Sequence, residues 1–331
     1  GWGGNNGLNS SKMLGGNFNY EIKDKFKFNG SLRWNHGDGD QRTKMSTENF
    51  VSTAKSFGNS LSQSYSRSDS WNARARIEWM PDSMTNILFR PTFSHSTSDG
   101  SSSTASASFA DDPYLYVTDP LASSSFDIMA QDSLMINSRN GISLSNSTSD
   151  NYKGMWQINR RLSDGGRDFT VQLNAGYTNS DSKSLSTSNV HLYQVMNSLG
   201  TDSTYQTNRY SLTPTKKYNY SAQVTYSEPL WKATFLQLSY KFNYSYSKST
   251  RSTYDFSNLG EDFFAGVVNN YGNWGGYLSR LNNPLESYYD SDLSRYSEYK
   301  NYTHDIELMF RMIRESFDFN VGAMVEPQSS N

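Results

Sequence analysis

The stretch that decides the fold is residues 26–34, which read FKFNGSLRW. The even positions, from Phe26 to Trp34, are apolar or small, and the odd positions, from Lys27 to Arg33, are polar. Side chains on a β-strand point alternately to opposite faces, so this segment has one apolar face and one hydrophilic face. A helix would spread the same residues around its circumference. The pattern therefore predicts an amphipathic strand.

The same alternation returns along the chain, most clearly at residues 71–79 (WNARARIEW) and 236–246 (LQLSYKFNYSY). It predicts ten strands, at about 12–22, 26–36, 69–80, 85–96, 151–161, 167–178, 216–228, 233–247, 300–312 and 317–326.

The connections between these strands are alternately short and long. The short ones are rich in Asp, Gly, Pro and Ser, which tight turns favour; they lie at 23–25, 81–83, 163–166, 228–229 and 314–316. The long ones are polar and are expected to be outer loops, at about 37–68, 97–150, 179–215 and 248–299. Transmembrane barrels place short turns at one end and long loops at the other, and strands of about 10 residues can cross a bilayer when tilted.

We therefore expect an all-β fold, an antiparallel up-and-down transmembrane β-barrel of about ten strands that forms part of a larger barrel. Residues 1–331 would be one barrel region with a Gly/Asn-rich lead-in at 1–11. No signal peptide is present, and the chain is expected to be trimmed at both ends.

Composition narrows the class of protein. The chain has 331 residues, 15% aromatic, no cysteine and a formal net charge of -2. The charge balance argues against a nucleic-acid partner, and the lack of cysteine excludes disulfides and thiolate chemistry. The mean hydropathy of -0.75 and the absence of a long apolar run argue against membrane-spanning helices, but in a membrane barrel only alternate residues face lipid.

Aromatic side chains lie near both ends of the apolar strand faces, as expected for the two girdles at the membrane interfaces. The interface candidates are Phe26, Trp34, Trp71, Trp79, Phe169, Tyr177, Tyr218 and Tyr226. The alternative is that these rings form the core of a soluble β-protein. Charged residues on the other face would cost about 2–4 kcal/mol each at the middle of the bilayer, so they are predicted to face the lumen. These are Arg33, Arg74, Arg76, Arg90, Lys153, Lys241, Asp305, Glu307 and Arg311.

Several short motifs carry a family resemblance. They include YSEPL at 226–230, LSRYS at 293–297, YKNYTH at 299–304, RMIRE at 311–315, NVG at 320–322, GLN at 7–9 and FNGS at 28–31. With these motifs the whole chain resembles outer-membrane β-barrel proteins related to TonB-dependent receptors, of the type that carries a carboxypeptidase-regulatory-like domain. The resemblance implies a Gram-negative outer membrane, a plug-gated lumen, uptake of a bulky nutrient and an energy transducer of the TonB type acting through segments outside this chain.

Two other functions remain open. The barrel could be a structural or assembly component that anchors a surface lipoprotein and transports nothing, or an outer-membrane hydrolase. No nucleophile elbow, phosphate loop or dinucleotide motif is present, and His304 and Asp305 are adjacent, which places them on opposite strand faces. We therefore expect no enzyme activity and no cofactor.

Two kinds of small site remain as candidates. His36, His95 and His304 share the parity of the apolar face, which suits interfacial anchors better than a metal site; His191 has no partner at ligand spacing. Asp38 with Asp40, and Asp290 with Asp292, are weak candidates for calcium in the outer loops, although turn chemistry explains both pairs.

Loop aromatics are the candidates for ligand contact, since exposed rings on loops stack on ligands. The alternative is that they pack the loop onto itself or onto a neighbouring loop. The candidates are Phe263, Phe264, Tyr271, Trp274 and Tyr277, with Tyr114 and Tyr116 as a weaker group.

Overall fold

The computed structural model describes residues 2–51, 54–260, 263–264, 276–314 and 317–330. The strands run in chain order as β1 (Trp2–Ile22), β2 (Phe26–Val51), β3 (Ala54–Asp82), β4 (Thr85–Phe109), β5 (Met135–Arg161), β6 (Asp168–Met196), β7 (Asp202–Trp231), β8 (Thr234–Asp255), β9 (Tyr289–Arg314), β10 (Phe317–Val325) and β11 (Gln328–Ser330). One helix, α1 (Ser123–Gln131), and three 3-10 turns, Pro113–Leu115, Gly276–Arg280 and Leu285–Tyr288, complete the elements of the described residues.

The strands form one antiparallel sheet in which each strand pairs with the next, from β1 to β10, while the short β11 also pairs with β9. This confirms the all-β, antiparallel, up-and-down fold. Within the described ranges no pairing joins β1 to β10, so the sheet is open, as the wall of a partial barrel would be. No helix among these residues is long and apolar enough to cross a membrane.

The strands are much longer than the sequence pattern predicts, and most of the expected long loops are strand. Residues 37–51 pair in register with β3, and β5 and β6 pair without interruption from Asn137 to Arg161. The lead-in at 2–11 is likewise part of β1 and pairs with β2 from Gly37 to Ser46. The described residues of the long connections that remain outside strands lie at 110–134, 197–201, 256–260, 263–264 and 276–288. The reason is that backbone pairing continues into Ser- and Thr-rich segments whose two faces are both polar, so the alternation vanishes while the ladder does not.

The short turns agree with the prediction at 23–25, but the turn expected at 228–229 is misplaced. Glu228 and Pro229 pair with β8, and the chain reverses at Lys232 and Ala233 instead. Ala233 takes a positive φ of 53°, a conformation that a tight reversal requires and that alanine rarely adopts. Proline has no backbone N–H to donate in a strand ladder, which is why the sequence predicts a turn at Pro229. In the structure it lies in the strand instead, next to an irregularity in the register with β8. The turn expected at 314–316 lies largely outside the described residues.

The register gives the sheet two distinct faces. Phe26 pairs with Trp79 and Trp34 with Trp71, so these four rings share one face, which we call the aromatic face. The opposite face carries Arg33 and the other alternate residues, and we call it the polar face.

Two small cores lie on the aromatic face, beyond its aromatic rows. Leu144 pairs with Leu185 and Leu185 with Tyr210, in the same unbroken registers that pair Tyr152 with Tyr177 and Tyr177 with Tyr218. The first core joins these residues to the segment 256–288; its buried members are Leu144, Leu185, Tyr210, Phe256, Phe264 and Tyr277. The second joins the segment 110–134 to the ends of β4 and β5; its buried members are Ala107, Phe109, Met129 and Met135. Both large connections therefore fold back onto the aromatic side of the sheet.

Candidate functional site

The eight predicted interface aromatics lie in two rows on the aromatic face. Each ring is directly opposite another of the set across a strand pair: Phe26 and Trp79, Phe169 and Tyr226 in one row, Trp34 and Trp71, Tyr177 and Tyr218 in the other. Ring centroids of Tyr177 and Tyr218 are 5.0 Å apart, and Tyr152 and Tyr246 extend that row at 6.2 and 5.7 Å. The rows are eight residues apart, which is about 26 Å along a strand and about 20 Å across a bilayer at a tilt of about 40°. Their position at a membrane interface stays a prediction.

The nine charged residues predicted to line a lumen all lie on the polar face. Arg74 is opposite Thr92, which is opposite Lys153, and Lys241 is opposite Asp305. Arg76 forms an ion pair with Glu78 at 3.2 Å, and Arg311 donates to Asp318 at 2.9 Å. Seven of the nine are basic and two acidic. Basic side chains therefore outnumber acidic ones within this set, and its contact with an enclosed lumen stays a prediction.

All four histidines lie on the aromatic face, and each contacts a polar partner. His36 and His191 lie beyond the row of Trp34, Trp71 and Tyr177, and His95 is opposite Trp71 in that row. His304 lies between the two rows, opposite Phe242, and not at a row as an interfacial anchor would. The two ring nitrogens of His36 lie 2.8 Å from Asp69 Oδ1 and 2.7 Å from Asp38 Oδ2. His95 Nδ1 lies 2.6 Å from Asp150, and the hydroxyl of Tyr240 lies 2.9 Å from His304 Nδ1. His304 and Asp305 point to opposite faces, as expected, because they pair with Phe242 and Lys241 respectively.

The carboxylate of Asp38 forms an ion pair with a neighbouring arginine, and this pairing explains its position without a bound metal ion. Arg67 Nε donates to its Oδ1 at 2.7 Å, and the guanidinium holds the pKa of Asp38 below its usual range, with the bond to His36 lowering it further. Asp290 Oδ1 accepts the backbone N–H groups of Asp292 and Leu293 at 2.9 and 3.1 Å, which is turn chemistry. Across the described ranges no group of three or more His, Asp or Glu residues is placed to hold a metal ion. Calcium binding in the outer loops stays a prediction.

The loop aromatics predicted to contact ligand divide into two groups. Phe264 and Tyr277 are 4% and 7% exposed and pack into the first core, with Phe263 half-buried against it. Packing between the loop and the strands holds the rings of Phe264 and Tyr277, which is the alternative that the sequence left open, and ligand contact by them stays a prediction. Burial in this core also raises the pKa of Tyr210 to about 12. Tyr271 and Trp274 lie outside the described residues.

Tyr114 and Tyr116 are each 45% exposed at the tip of the β4–β5 connection. Their hydroxyls are fixed, because Asn59 donates to Tyr114 Oη at 2.8 Å and Tyr116 donates to Asp111 at 3.1 Å. The rings are thus held at the surface, and ligand contact by them stays a prediction.

A cavity that the sequence did not predict lies on the aromatic face between the two cores, with a volume of about 390 Å³. Two adjacent cross-strand rows supply most of its lining. One row is Gln63, Ser103, Ile142, Thr187 and Asn208, and the other is Leu61, Ala105, Asn140 and Asn189. Phe264 of the loop also lines it. No sequence signal marks this cavity, because its residues are scattered over five strands of Ser-, Thr- and Asn-rich sequence and meet only through the register.

Comparison with known proteins adds little detail. No family model matches the sequence, and no curated protein matches it. Among solved structures, the chain is similar to the RagAB peptide importer, with 8% identity and a TM-score of 0.25 over 92% of this chain and 49% of that one. It is also similar to BauA, the ferric preacinetobactin receptor of Acinetobacter baumannii, with 8% identity and a TM-score of 0.27 over 98% of this chain and 58% of that one. A third, the outer-membrane transporter YddB of Escherichia coli, has 6% identity and a TM-score of 0.11 over 97% of this chain and 75% of that one. This chain thus spans about half the length of the first two proteins.

Proposed function

We propose that this chain forms part of the wall of a Gram-negative outer-membrane receptor or transporter barrel that takes up a bulky nutrient through a plug-gated lumen. The observation that carries the proposal is the separation of the two faces over consecutive strands. One face holds two aromatic rows at a spacing that suits a bilayer, and the other holds charges that hydrocarbon would exclude. In a water-soluble sheet, no physical requirement places two aromatic rows at a separation of about 20 Å along one direction, whereas the two interfaces of a bilayer do.

The polar face supports a further feature of the proposal, which is passage of anionic solutes or acidic groups. The excess of basic side chains there would attract anions in a water-filled lumen, because charges on low-dielectric walls concentrate counter-ions. The plug, the energy transducer and the nutrient belong to the proposal through the family resemblance alone.

The test is conductance of the full protein in planar bilayers of phosphatidylcholine. Arg74→Glu combined with Lys153→Glu reverses two charges in one cross-strand row of the polar face, and it should shift ion selectivity from anions towards cations. Arg42→Glu combined with Lys44→Glu, an equal charge change on the other face beyond the aromatic rows, should leave selectivity unchanged. An identical selectivity in all three proteins would reject a lumen on the polar face.

A second function, anchoring of a surface partner without transport, has one observation in its favour. Large apolar side chains are exposed at the tips of two neighbouring hairpins, with Leu115, Met196 and Leu199 73%, 71% and 86% exposed. Exposed apolar tips are typical of protein contacts. Stoichiometric co-purification of a partner from native membranes, lost in Met196→Asp with Leu199→Asp, would support this function, and transport unaffected by the same variant would separate it from the first.

A further inference from the structure

We propose that the cavity between the two loop cores is a binding site for a neutral, hydroxyl-rich ligand of one or two sugar rings. It lies on the outward side of the sheet and does not depend on transport through the lumen. The cavity of about 390 Å³ is near the lower end of the range of about 300–1,000 Å³ for small-ligand pockets.

The chemistry of the lining defines the ligand. None of the described residues that line the cavity is charged; its polar groups are the amides of Gln63, Asn140, Asn189 and Asn208 and the hydroxyls of Ser103 and Thr187. Amides and hydroxyls both donate and accept hydrogen bonds, which matches the hydroxyl groups of a sugar. Phe264, at one side of the cavity, offers an apolar ring of the kind that packs on the carbon-bound hydrogens of a sugar face.

A hydrogen-bond relay leaves one acceptor available at the cavity wall. Gln206 Nε2 donates to the backbone carbonyl of Ser257 at 2.6 Å and also to that of Leu259. Its Oε1 is thereby left as an acceptor, and Asn208 Nδ2 donates to it at 3.2 Å. The amide of Asn208 is therefore fixed in orientation, with its Oδ1 on the other side.

Asn208 is 2% exposed, and its Oδ1 accepts no hydrogen bond within the described part of the chain. A buried acceptor without a donor destabilises a structure, so this position favours a ligand that brings an O–H or N–H group. Because the relay begins at two loop carbonyls, the loop and the ligand site are coupled: release of the loop would free the amide of Asn208 to rotate.

The position of the cavity is compatible with two sources of the ligand, a free saccharide and the glycan of a membrane lipid. Asn208 is ten residues along β7 from Tyr218, which belongs to the aromatic row of Trp34 and Trp71, and this is about 33 Å along the strand. On the outward face at that height, a ligand could be a free saccharide or the glycan of a lipid in the outer leaflet. The shared chemistry is the neutral sugar ring, and the experiment separates the sources.

The test uses cysteine protection in the full protein reconstituted in phosphatidylcholine vesicles. The described chain has no cysteine, so Ser103→Cys introduces one accessible thiol at the cavity, and its labelling by a water-soluble maleimide should slow when the cavity is occupied. One arm titrates maltose and N-acetylglucosamine, and the other compares vesicles with and without a lactosyl lipid. Protection in the first arm identifies a free saccharide, protection in the second alone identifies a lipid glycan, and either supports the site.

Variants in the Ser103→Cys background decide the assignment. Asn208→Leu should raise the saccharide concentration for half-protection about tenfold, because it removes the acceptor. Asn174→Leu, which removes a hydrogen bond to Ser221 on the polar face, should leave protection unchanged. Ala105→Phe fills the cavity without touching the relay, so it should abolish protection even if Asn208→Leu fails to fold. No protection in either arm, or protection equal in all variants, would overturn the proposal.

Discussion

Replacement of Leu173 by arginine tests the membrane assignment most directly. Leu173 lies on the aromatic face of β6, four residues from Phe169 and four from Tyr177, and therefore midway between the two aromatic rows. It is opposite Trp156 and Ala222 and 42% exposed. At this depth arginine costs about 2–4 kcal/mol, which makes the unfolding equilibrium roughly 30- to 700-fold less favourable to the folded state.

The neighbouring residue gives the matched control. Gln172→Arg introduces the same side chain at the same height on the polar face, where contact with water holds the cost to about 0.5 kcal/mol. Tyr177→Arg lies on the aromatic face but in the row of Trp34 and Trp71, at the predicted membrane interface. It should lower the free energy of unfolding by only about 0–1 kcal/mol. Together, the losses of stability in these three variants show which face of the sheet contacts lipid and how deep each position lies in the bilayer.

The assay is reversible urea unfolding of the protein in vesicles of a short-chain phosphatidylcholine, followed by tryptophan fluorescence. Trp156, opposite Leu173, reports on this part of the sheet. If Leu173→Arg and Gln172→Arg destabilise by amounts within about 0.5 kcal/mol of each other, the aromatic face does not contact lipid. The sheet would then belong to a water-soluble β-protein, and the transporter proposal would fail with it.

Two further predictions concern groups outside the aromatic rows. Arg67→Gln should raise the pKa of Asp38 towards its ordinary value of about 3.9, measured by NMR titration of the carboxyl group, while Arg42→Gln should not. Since the folded pKa of Asp38 is lowered, its contribution to stability is present above the ordinary value and is lost as the pH falls through the lowered one, so acid unfolding of Arg67→Gln should depend less on pH in that window. Phe264→Ala should release the segment 256–288, because a buried aromatic replaced by alanine costs about 3–5 kcal/mol, and limited proteolysis there should accelerate. Phe263→Ala, at a half-buried ring, should accelerate it less, and equal rates in both variants would show that the loop is not held by this core.

The sequence predicts the strands where the two faces differ and fails where they do not. Between the aromatic rows, apolar and polar residues alternate, so the sequence alone predicts that residues 26–34 and 236–246 are strands. Residues 101–108, SSSTASAS, carry no such alternation, yet they pair with β3 and β5 throughout. Their strand structure comes from backbone hydrogen bonds to neighbours, which no local pattern encodes.

The site residues divide in the same way. Parity along a strand places Arg74, Lys153 and Lys241 on one face without knowledge of the fold. Phe264 is buried in a core that includes Leu144, more than a hundred residues earlier in the chain, and its burial could therefore not be derived from the loop sequence. The relay from Gln206 to Asn208 likewise depends on where the loop carbonyls lie after folding.

The position of the two small cores has a consequence for how the molecule tolerates change. Each large connection is anchored by its own set of buried side chains on the aromatic face, on the side of the sheet away from the charged residues of the polar face. In the proposed barrel, sequence drift or the grafting of a foreign epitope at 110–134 would therefore alter the surface that antibodies or phages meet and leave the lining of the lumen intact. Surface identity and permeability can diverge independently in such a molecule.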